Sequence, residues 1–550
     1  MEAVDAIIIG SGAGGLATAI CLARAGQKVL VLEQHYVPGG WCHSFMLNGQ
    51  RFSPGVHYIG LADDGQATSQ LYKGLGIANE LVFFRMNKHA FEHCCIGDKK
   101  IDLPAGFNAM GDALAKHFPQ EKGKIKKYLQ LVDKVNTQLQ YMPTIRGLRQ
   151  TLTAPFKTAA FVHHAPYRLK KIIGRYIKDP LLKAVLNIQC GDHGLPPEKA
   201  HFVVHCAVMA HYAEGGFYPM GGGGGLVKAM TNVLKKHGGE VRVSTRVHKI
   251  IVQNNTAVGV EIEDGQKLYA KTIISNADPS ITYFNLIGRE HLGKKLLKKL
   301  DSTRYSVTSL ILFLTLEMDV TAAGIDSGNF WIYRDEDVDN LFKELTHEDV
   351  TAGEEFPAIF MSCTTLKDPV SYNGKYHNLE LVTYIDYDKL PEFKGEEDYH
   401  CDAYKQFKQK VISKFMNTAE RMIPGAKKAT VQVELGTPKT NQFYINSTKG
   451  NVYGAEKTLF NMGPFSFKNK TEINNLYLCG ASTLSHGVAG ATYSGIETAA
   501  KLLGCRKEDL LLPDESQQLR IIDAEDKQGW PQWLLKKRDD KVRNFKEIKL

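Results

Sequence analysis

Residues 3–40, AVDAIIIGSGAGGLATAICLARAGQKVLVLEQHYVPGG, decide the fold. Ala6 to Ile9 is a short apolar, β-branched run, the pattern of a buried parallel strand, and it opens directly into Gly10-Ser11-Gly12-Ala13-Gly14-Gly15. Leu16 to Ala25 reads as a helix that Gly26 ends; Lys28 to Leu32 is a second apolar strand, and Glu33 stands at its end. Strand, glycine turn, helix, strand and acid at these separations make a β-α-β dinucleotide fingerprint. Each part has a physical task. Gly10 makes the tight turn, Gly12 lets the backbone approach a pyrophosphate, Gly15 lets helix and strand pack closely, and the helix start, which includes Gly14, offers N–H groups and a positive dipole end. Glu33 accepts hydrogen bonds from ribose hydroxyls and disfavours a 2′-phosphate, which leaves FAD or NAD.

The rest of the chain bounds the problem. Its 550 residues have room for two or three domains, and 43% hydrophobic with 23% charged residues is globular composition. No apolar run is long enough for a transmembrane helix, and no signal peptide is legible, so the chain is expected to face the cytosol or to have lost a targeting segment. Ten cysteines without a CxxC pair read as thiols of a reducing compartment, and no metal site is predicted. His201 and His205, four apart, lack further ligands and read as packed or cavity-lining residues. The net charge of +9 is concentrated between Lys134 and Lys178, a stretch without acids in which basic and apolar residues alternate and Pro143, Pro155 and Pro166 break the chain. Such a segment suits a lipid interface, and equally a basic helical face packed on the domain. A second basic cluster, beside Trp530 and Trp533 near the C-terminus, is suited to lipid headgroups or to a docked helix. No nucleic-acid-binding module accompanies either, so nucleic acid is not an expected partner.

Further motifs lie downstream. Gly221 to Gly225 opens the helix Leu226 to His237, a place for close approach of backbone to a ligand. Lys249 to Val252, Thr256 to Glu263 and Lys267 to Ala270 read as an antiparallel meander, and Thr272 to Asp278 as a separate buried strand. Strand-like runs at Ser309–Leu316, Ala358–Ser362, Leu379–Tyr384 and Thr430–Leu435 predict an antiparallel sheet walling a cavity. Asn475 to Thr483 is a strand entering a polar turn before a helix.

Gln34 to Gly40, with its second glycine pair Gly39-Gly40, resembles the extended signature of flavin amine oxidases and carotenoid desaturases, where those glycines pass close to the flavin; FAD becomes the expected cofactor. The stretches Trp41 to Phe45, Gly55 to Gly60, Gln189 to Pro197, His211-Tyr212 with Tyr218-Pro219, and Leu476 to Thr483 are similar to the carotenoid desaturase and isomerase superfamily and, within it, to the retinol saturase branch. Trp41 stands where desaturases carry arginine. The resemblance implies an α/β Rossmann-type FAD-binding domain assembled from residues 1–75, 216–285 and 466–505. It further implies a helical substrate insertion at 76–215 with the basic membrane-facing segment, an antiparallel substrate domain at 286–465, and a basic tail at 506–550.

The resemblance also implies cofactor contacts at Gly10, Gly12, Gly14, Gly15, Glu33, Gln34, Gly39, Gly40, Val247, Asn276, Gly480, Ala481 and Ser482. Ala481 replaces the usual acid, and Ser482 is the candidate substitute. The walls are expected to include Thr437 to Thr440 and Gly450 to Gly454. The implied reaction is hydride transfer from reduced flavin to a C=C bond of an apolar polyene, retinol or a carotenoid, foremost all-trans-retinol to 13,14-dihydroretinol. NAD(P)H is the candidate external reductant. Proton donors would come from His57 and Tyr58, with His211, Tyr212 and His486 behind them. The implied location is a peripheral, cytosol-facing membrane surface, that of the endoplasmic reticulum in the vertebrate members. A carotenoid isomerase or desaturase, and a non-catalytic prenyl-protein escort protein, share the architecture and remain alternatives; the sequence leaves the oligomeric state open.

Overall fold

The computed structural model describes residues 4–142, 153–390, 401–458, 461, 463–511 and 515–547. The fingerprint folds as Val4–Ile9, Ala13–Arg24 and Val29–Leu32. Ala6, Ile7 and Ile8 are completely buried, since a parallel strand is covered on both faces and therefore carries no polar alternation. The sheet runs Val247–Gln253, Thr256–Ile262, Lys267–Ser275, Val4–Ile9, Val29–Leu32, Glu240–Arg242, with Leu476–Leu478 also paired to Lys267–Ser275.

One reading is corrected here. The expected hairpin strand ending at Ala270 and the buried strand beginning at Thr272 are a single element. Its first half is antiparallel to Thr256–Ile262, and its second is parallel to both Val4–Ile9 and Leu476–Leu478. No turn residue separates the halves; Lys271 simply faces solvent, paired with Asp5 at 2.8 Å. The C-terminal ends Ile9, Leu32, Ser275 and Leu478 therefore gather along one edge, where open α/β sheets place their ligands.

The second sheet joins all four predicted strand runs in the order Thr430–Gly436, Thr308–Leu316, His377–Ile385, Ala358–Cys363, Asn329–Tyr333, Glu92–Ile96, Lys99–Leu103. Its last two strands come from the stretch expected to be helical insertion. Glu92 to Ile96 is buried along its whole length, so neither alternation nor a helical period marks it in the sequence. The helices Lys122–Tyr141, Leu169–Tyr176, Pro180–Asn187 and Phe202–His211 share one apolar core with this sheet.

The basic segment divides. Pro143, Ile145, Arg146, Leu148 and Arg149 lie outside the described residues. In Leu169–Tyr176 the apolar side chains Leu169, Ile172 and Ile173 belong to the core, as does Ile177. Lys170 pairs with Asp339 at 2.9 Å, and Lys171 and Arg175 lie over the Tyr167 ring. Those residues form a packed helical face. Phe156 and Val162, by contrast, are 84% and 59% exposed.

The tail is stitched to the body. Arg520–Asp523 pairs with Val82–Arg85, which pairs with Phe217–Pro219. Of the two readings of the tail, Trp530 follows the docked one and not the lipid interface; its indole N–H donates to the Asp523 carbonyl at 2.8 Å, and Leu534 packs beside it against Phe84 and Val370. Among the described residues no helix is long and apolar enough to cross a membrane.

Candidate functional site

A cleft follows the C-terminal edge of the parallel sheet. Gly10, Gly12, Gly14, Glu33, Gln34, Gly39, Gly40, Val247, Asn276, Gly480, Ala481 and Ser482 all line it. Gly15 does not. A Cβ there would lie 2.2 Å from the Gly10 carbonyl oxygen, so Gly15 brings helix against turn. Gly10 itself takes φ +90°, a conformation that favours glycine.

Ser11, which the sequence did not single out, ties the parts together. Its N–H and hydroxyl donate to Glu33 Oε2 at 2.9 and 2.6 Å, and its oxygen accepts from the Gly39 N–H at 2.8 Å; the His35 N–H reaches Glu33 Oε1 at 2.9 Å. A carboxylate offers about four lone-pair sites, so one stays open toward the cleft. The helix Ala13–Arg24 starts at Gly12 with no side-chain cap and no acid in its first turn. N–H donors with a dipole for a pyrophosphate, beside a carboxylate for a ribose, fit an adenine dinucleotide such as FAD.

The opposite wall was only partly legible. Asp278, closing the Ser-Asn-Ala-Asp run, accepts from Thr448 N–H at 2.8 Å and Asn451 Nδ2 at 2.6 Å, and this clamps the loop that brings Asn451, Val452, Tyr453 and Gly454 to the cleft. Lys457, nearly buried, donates to the Ala481 carbonyl at 2.6 Å, and burial pushes its ammonium down to about 8. The Ser482 hydroxyl accepts from Ala455 N–H at 3.1 Å, so it fastens the wall. The glycine run meets protein: a Cβ at Gly222 would fall 2.1 Å from Ser53 Oγ, and one at Gly223 would fall 2.3 Å from the Cys42 carbonyl oxygen. Backbone does approach closely there, yet its neighbour is the Cys42–Ser53 segment.

Tyr453 leads from the cleft into an aromatic chamber. Its hydroxyl bonds to Tyr384 at 2.8 Å and to the Gly191 carbonyl at 2.9 Å, and its ring lies 5.1 Å from His486. Beyond it Tyr58 and Tyr212 stack at 4.0 Å and 12°, with Phe360 against Tyr58 and Trp331 against Phe360. Asp192, Tyr212, Tyr384, Tyr453 and His486 lie deep in the protein yet keep some accessible surface, so they border an internal space.

The five candidate donors differ. His57 Nδ1 sits 3.0 Å from Glu380 Oε2, and its carbonyl accepts from Lys367 at 2.8 Å. Tyr58 donates to Asp192 Oδ2 at 2.7 Å. Tyr212 supplies the stacked ring. His211 Nε2 accepts from Gly60 N–H at 3.0 Å and burial pushes the ring down to about 4, so it positions the Gly55–Gly60 loop as a neutral imidazole. Burial, with the Lys457 charge, pushes His486 down to about 3. Glu92, Asp192, Trp331 and Lys367 were missed, because they gather near Tyr58 from four separate elements; only the Gly191-Asp192-His193 turn was visible as a motif.

The histidine-rich helix contributes elsewhere. His201 Nδ1 lies 3.2 Å from the Ala165 carbonyl, away from His205. His205 Nε2 donates to the Leu186 carbonyl at 3.0 Å, leaving Nδ1 to accept from His193 Nε2 at 3.4 Å; Cys190 completes this buried group.

Comparison with known proteins agrees with this geometry. The model of the family described as flavin containing amine oxidoreductase matches residues 13–503. The all-trans-retinol 13,14-reductase of Danio rerio is 29% identical over 91% of this chain and 86% of its own length. Prolycopene isomerase 1 of an Oncidium hybrid cultivar is 28% identical over 96% of this chain and 88% of its own. The crystal structure of an oxidoreductase from Methanosarcina mazei superposes with a TM-score of 0.60 at 16% identity, covering 90% of this chain and 99% of that one, a likeness of fold. With a family match across nearly the whole chain and a cleft built for its cofactor, the protein belongs to the flavin containing amine oxidoreductase family and is a flavin-dependent oxidoreductase.

Proposed function

We propose that the protein reduces one C=C bond of a conjugated isoprenoid, with all-trans-retinol to 13,14-dihydroretinol as the foremost reaction. The observation that carries this reading is the aromatic chamber opening from the cofactor cleft at Tyr453. Aromatic walls hold a flat polyene without needing to polarise it, and an unsubstituted alkene offers no oxygen for an oxyanion site. Glu33 would hold the ribose, the start of Ala13–Arg24 the pyrophosphate, and Gly39, Gly40, Gly480 and Ala481 the approach to the ring system. Bound there, reduced FAD supplies hydride chemistry. The residues of the chain orient the polyene, exclude water and provide the proton. The relatives named for retinol reduction support this reading.

The relatives named for prolycopene isomerisation favour a second reading, in which the same chamber changes the geometry of a carotenoid without net reduction. Intact Gly10, Gly12, Gly15 and Glu33 argue against a non-catalytic escort role. Anaerobic mixing of the reduced holoprotein with all-trans-retinol separates these. Stoichiometric flavin reoxidation with a blue shift of the polyene band is expected; a change of polyene geometry while the flavin stays reduced establishes the isomerase. NADH and NADPH are the external reductants to supply for turnover.

We further propose that substrate is collected at a cytosol-facing membrane surface, through the face that exposes Phe156 and Val162. Beyond the helical segment, Arg168, Lys199, Lys295, Lys299, Arg304, Lys468 and Lys470 surround one surface groove with only Glu456 and Glu472 among them. Cations around the exposed Phe465 in this groove suit anionic headgroups. The protein should sediment with phosphatidylserine vesicles and far less with phosphatidylcholine, and a Phe156→Ser, Val162→Ser variant should bind about fivefold more weakly. Equal recovery without vesicles overturns the proposal.

A further inference from the structure

We propose that Glu92, Tyr58 and Asp192 form the proton supply for polyene reduction, with the Tyr58 hydroxyl giving the substrate its second hydrogen. The inference rests on the reductase reading above and adds the residues that carry out its protonation step.

The argument begins with elimination. Of the imidazoles around the chamber, His211 already accepts from Gly60, and His57 faces Glu380. Burial and the Lys457 charge hold His486 neutral, which leaves it no ammonium-like proton to give. Tyr58 is different. It lies at the end of the Gly55–Tyr58 stretch that leaves the cofactor cleft at Gly55, and its ring is stacked on Tyr212. Its hydroxyl is already directed as a donor, to Asp192 Oδ2 at 2.7 Å.

A tyrosine alone is a poor acid, and a phenolate left in a dry chamber would be costly. What makes the step feasible is the second carboxyl. Glu92 faces Tyr58 and Asn329, and its Oε2 is held by the Trp331 indole N–H at 2.7 Å, while its Oε1 is buried with no hydrogen-bond partner. A buried carboxyl oxygen without a donor is costlier for the charged carboxylate than for the neutral acid. The titratable and polar groups around Tyr58 come from several elements. Asp192 comes from the Ile188–His193 turn, Glu92 from its strand, Asn329 and Trp331 from Asn329–Tyr333, Tyr212 from the end of Phe202–His211, and Lys367 from Thr364–Lys367; Glu380 with His57 lies beyond Lys367. Burial and the Glu92 charge hold Asp192 well above the usual carboxylate range, and burial pushes Glu92 up to about 7 against the pull of its hydrogen bonds and of Lys367. Two neighbouring carboxyls in a low-dielectric site retain a proton between them near neutrality.

The step balances. Hydride brings two electrons and one hydrogen to one polyene carbon, and the flavin is the group oxidised. The Tyr58 O–H bond breaks as a C–H bond forms on the neighbouring carbon. The phenolate takes the Glu92 proton, and the Glu92 carboxylate is reprotonated from solvent between turnovers.

The test uses the holoprotein. Reoxidation of reduced flavin by all-trans-retinol should lose rate as pH rises through about 7 in the wild type. Tyr58→Phe, which keeps the stacked ring, should slow reoxidation about 100-fold or more; Glu92→Gln should slow it and abolish the limb near pH 7. Infrared titration without substrate should show a carboxylic-acid band that disappears near pH 7 in the wild type and is missing in Glu92→Gln. Flavin content and melting temperature close to wild type keep the comparison valid, and Asp192→Asn serves if Tyr58→Phe loses its flavin. A wild type that reoxidises with retinol while Tyr58→Phe and Glu92→Gln match its rates and pH profile overturns the relay alone. A wild type that passes no electrons to a polyene overturns the reductase reading and the relay with it.

Discussion

Gly15→Val should abolish flavin binding. Its Cβ would sit 2.2 Å from the Gly10 carbonyl oxygen, with the Gly10 carbonyl carbon at 3.3 Å, and both are backbone atoms of the turn that shapes the cleft. Neither can rotate aside, so the helix must lift from the strand, taking its N-terminal N–H groups away from the pyrophosphate. Overpacking in a well-filled core costs about 1–3 kcal/mol, and a backbone collision belongs at or above the top of that range. The purified variant should carry less than about one-tenth of the wild-type flavin and should melt at a lower temperature. Gly123→Ala is the control: a Cβ there meets nothing within 4 Å, and the residue lies in a helix, so flavin content should be unchanged. Full flavin occupancy in Gly15→Val would remove the packing role given to this glycine.

Glu92→Gln should make the protein more stable at pH 8. The Glu92 carboxyl is pushed up by burial from its ordinary 4.5 to about 7. Between those values the folded protein keeps a proton that the unfolded chain has lost, so this group makes stability fall as pH rises from 4.5 through 7. The loss levels off above pH 7 at on the order of 3 kcal/mol. Glutamine keeps the shape, accepts the Trp331 N–H and carries no charge. Urea unfolding should therefore place the variant above the wild type at pH 8 and level with it near pH 4.5. A variant less stable than the wild type at pH 8 would mean that the carboxylate form is well solvated or paired in the folded protein.

The sequence by itself determined the cofactor half of this protein. Gly10 to Gly15, Gly39-Gly40 and Gly480 act through backbone geometry within short segments and Glu33 through a carboxylate at the end of the second strand, and such local requirements demand particular residue types at fixed spacings. The strand runs of the second sheet were legible for the same local reason, whereas Glu92 to Ile96 was not, because burial on both faces leaves no period to read. The tail was left open between lipid and docking because a tryptophan beside lysines looks the same in sequence whether its indole N–H meets a headgroup or the Asp523 carbonyl. Tertiary structure alone decided the chamber. Tyr58, Glu92, Asp192, Trp331 and Lys367 are far apart in the chain and carry no common spacing. A parallel pairing of Glu92–Ile96 with Asn329–Tyr333 and the turn at Gly191 bring them together, with Trp331 donating to Glu92 and Tyr58 to Asp192. Local backbone requirements are written in the sequence, whereas electrostatic coupling through a dry interior exists only once the chain has closed around it.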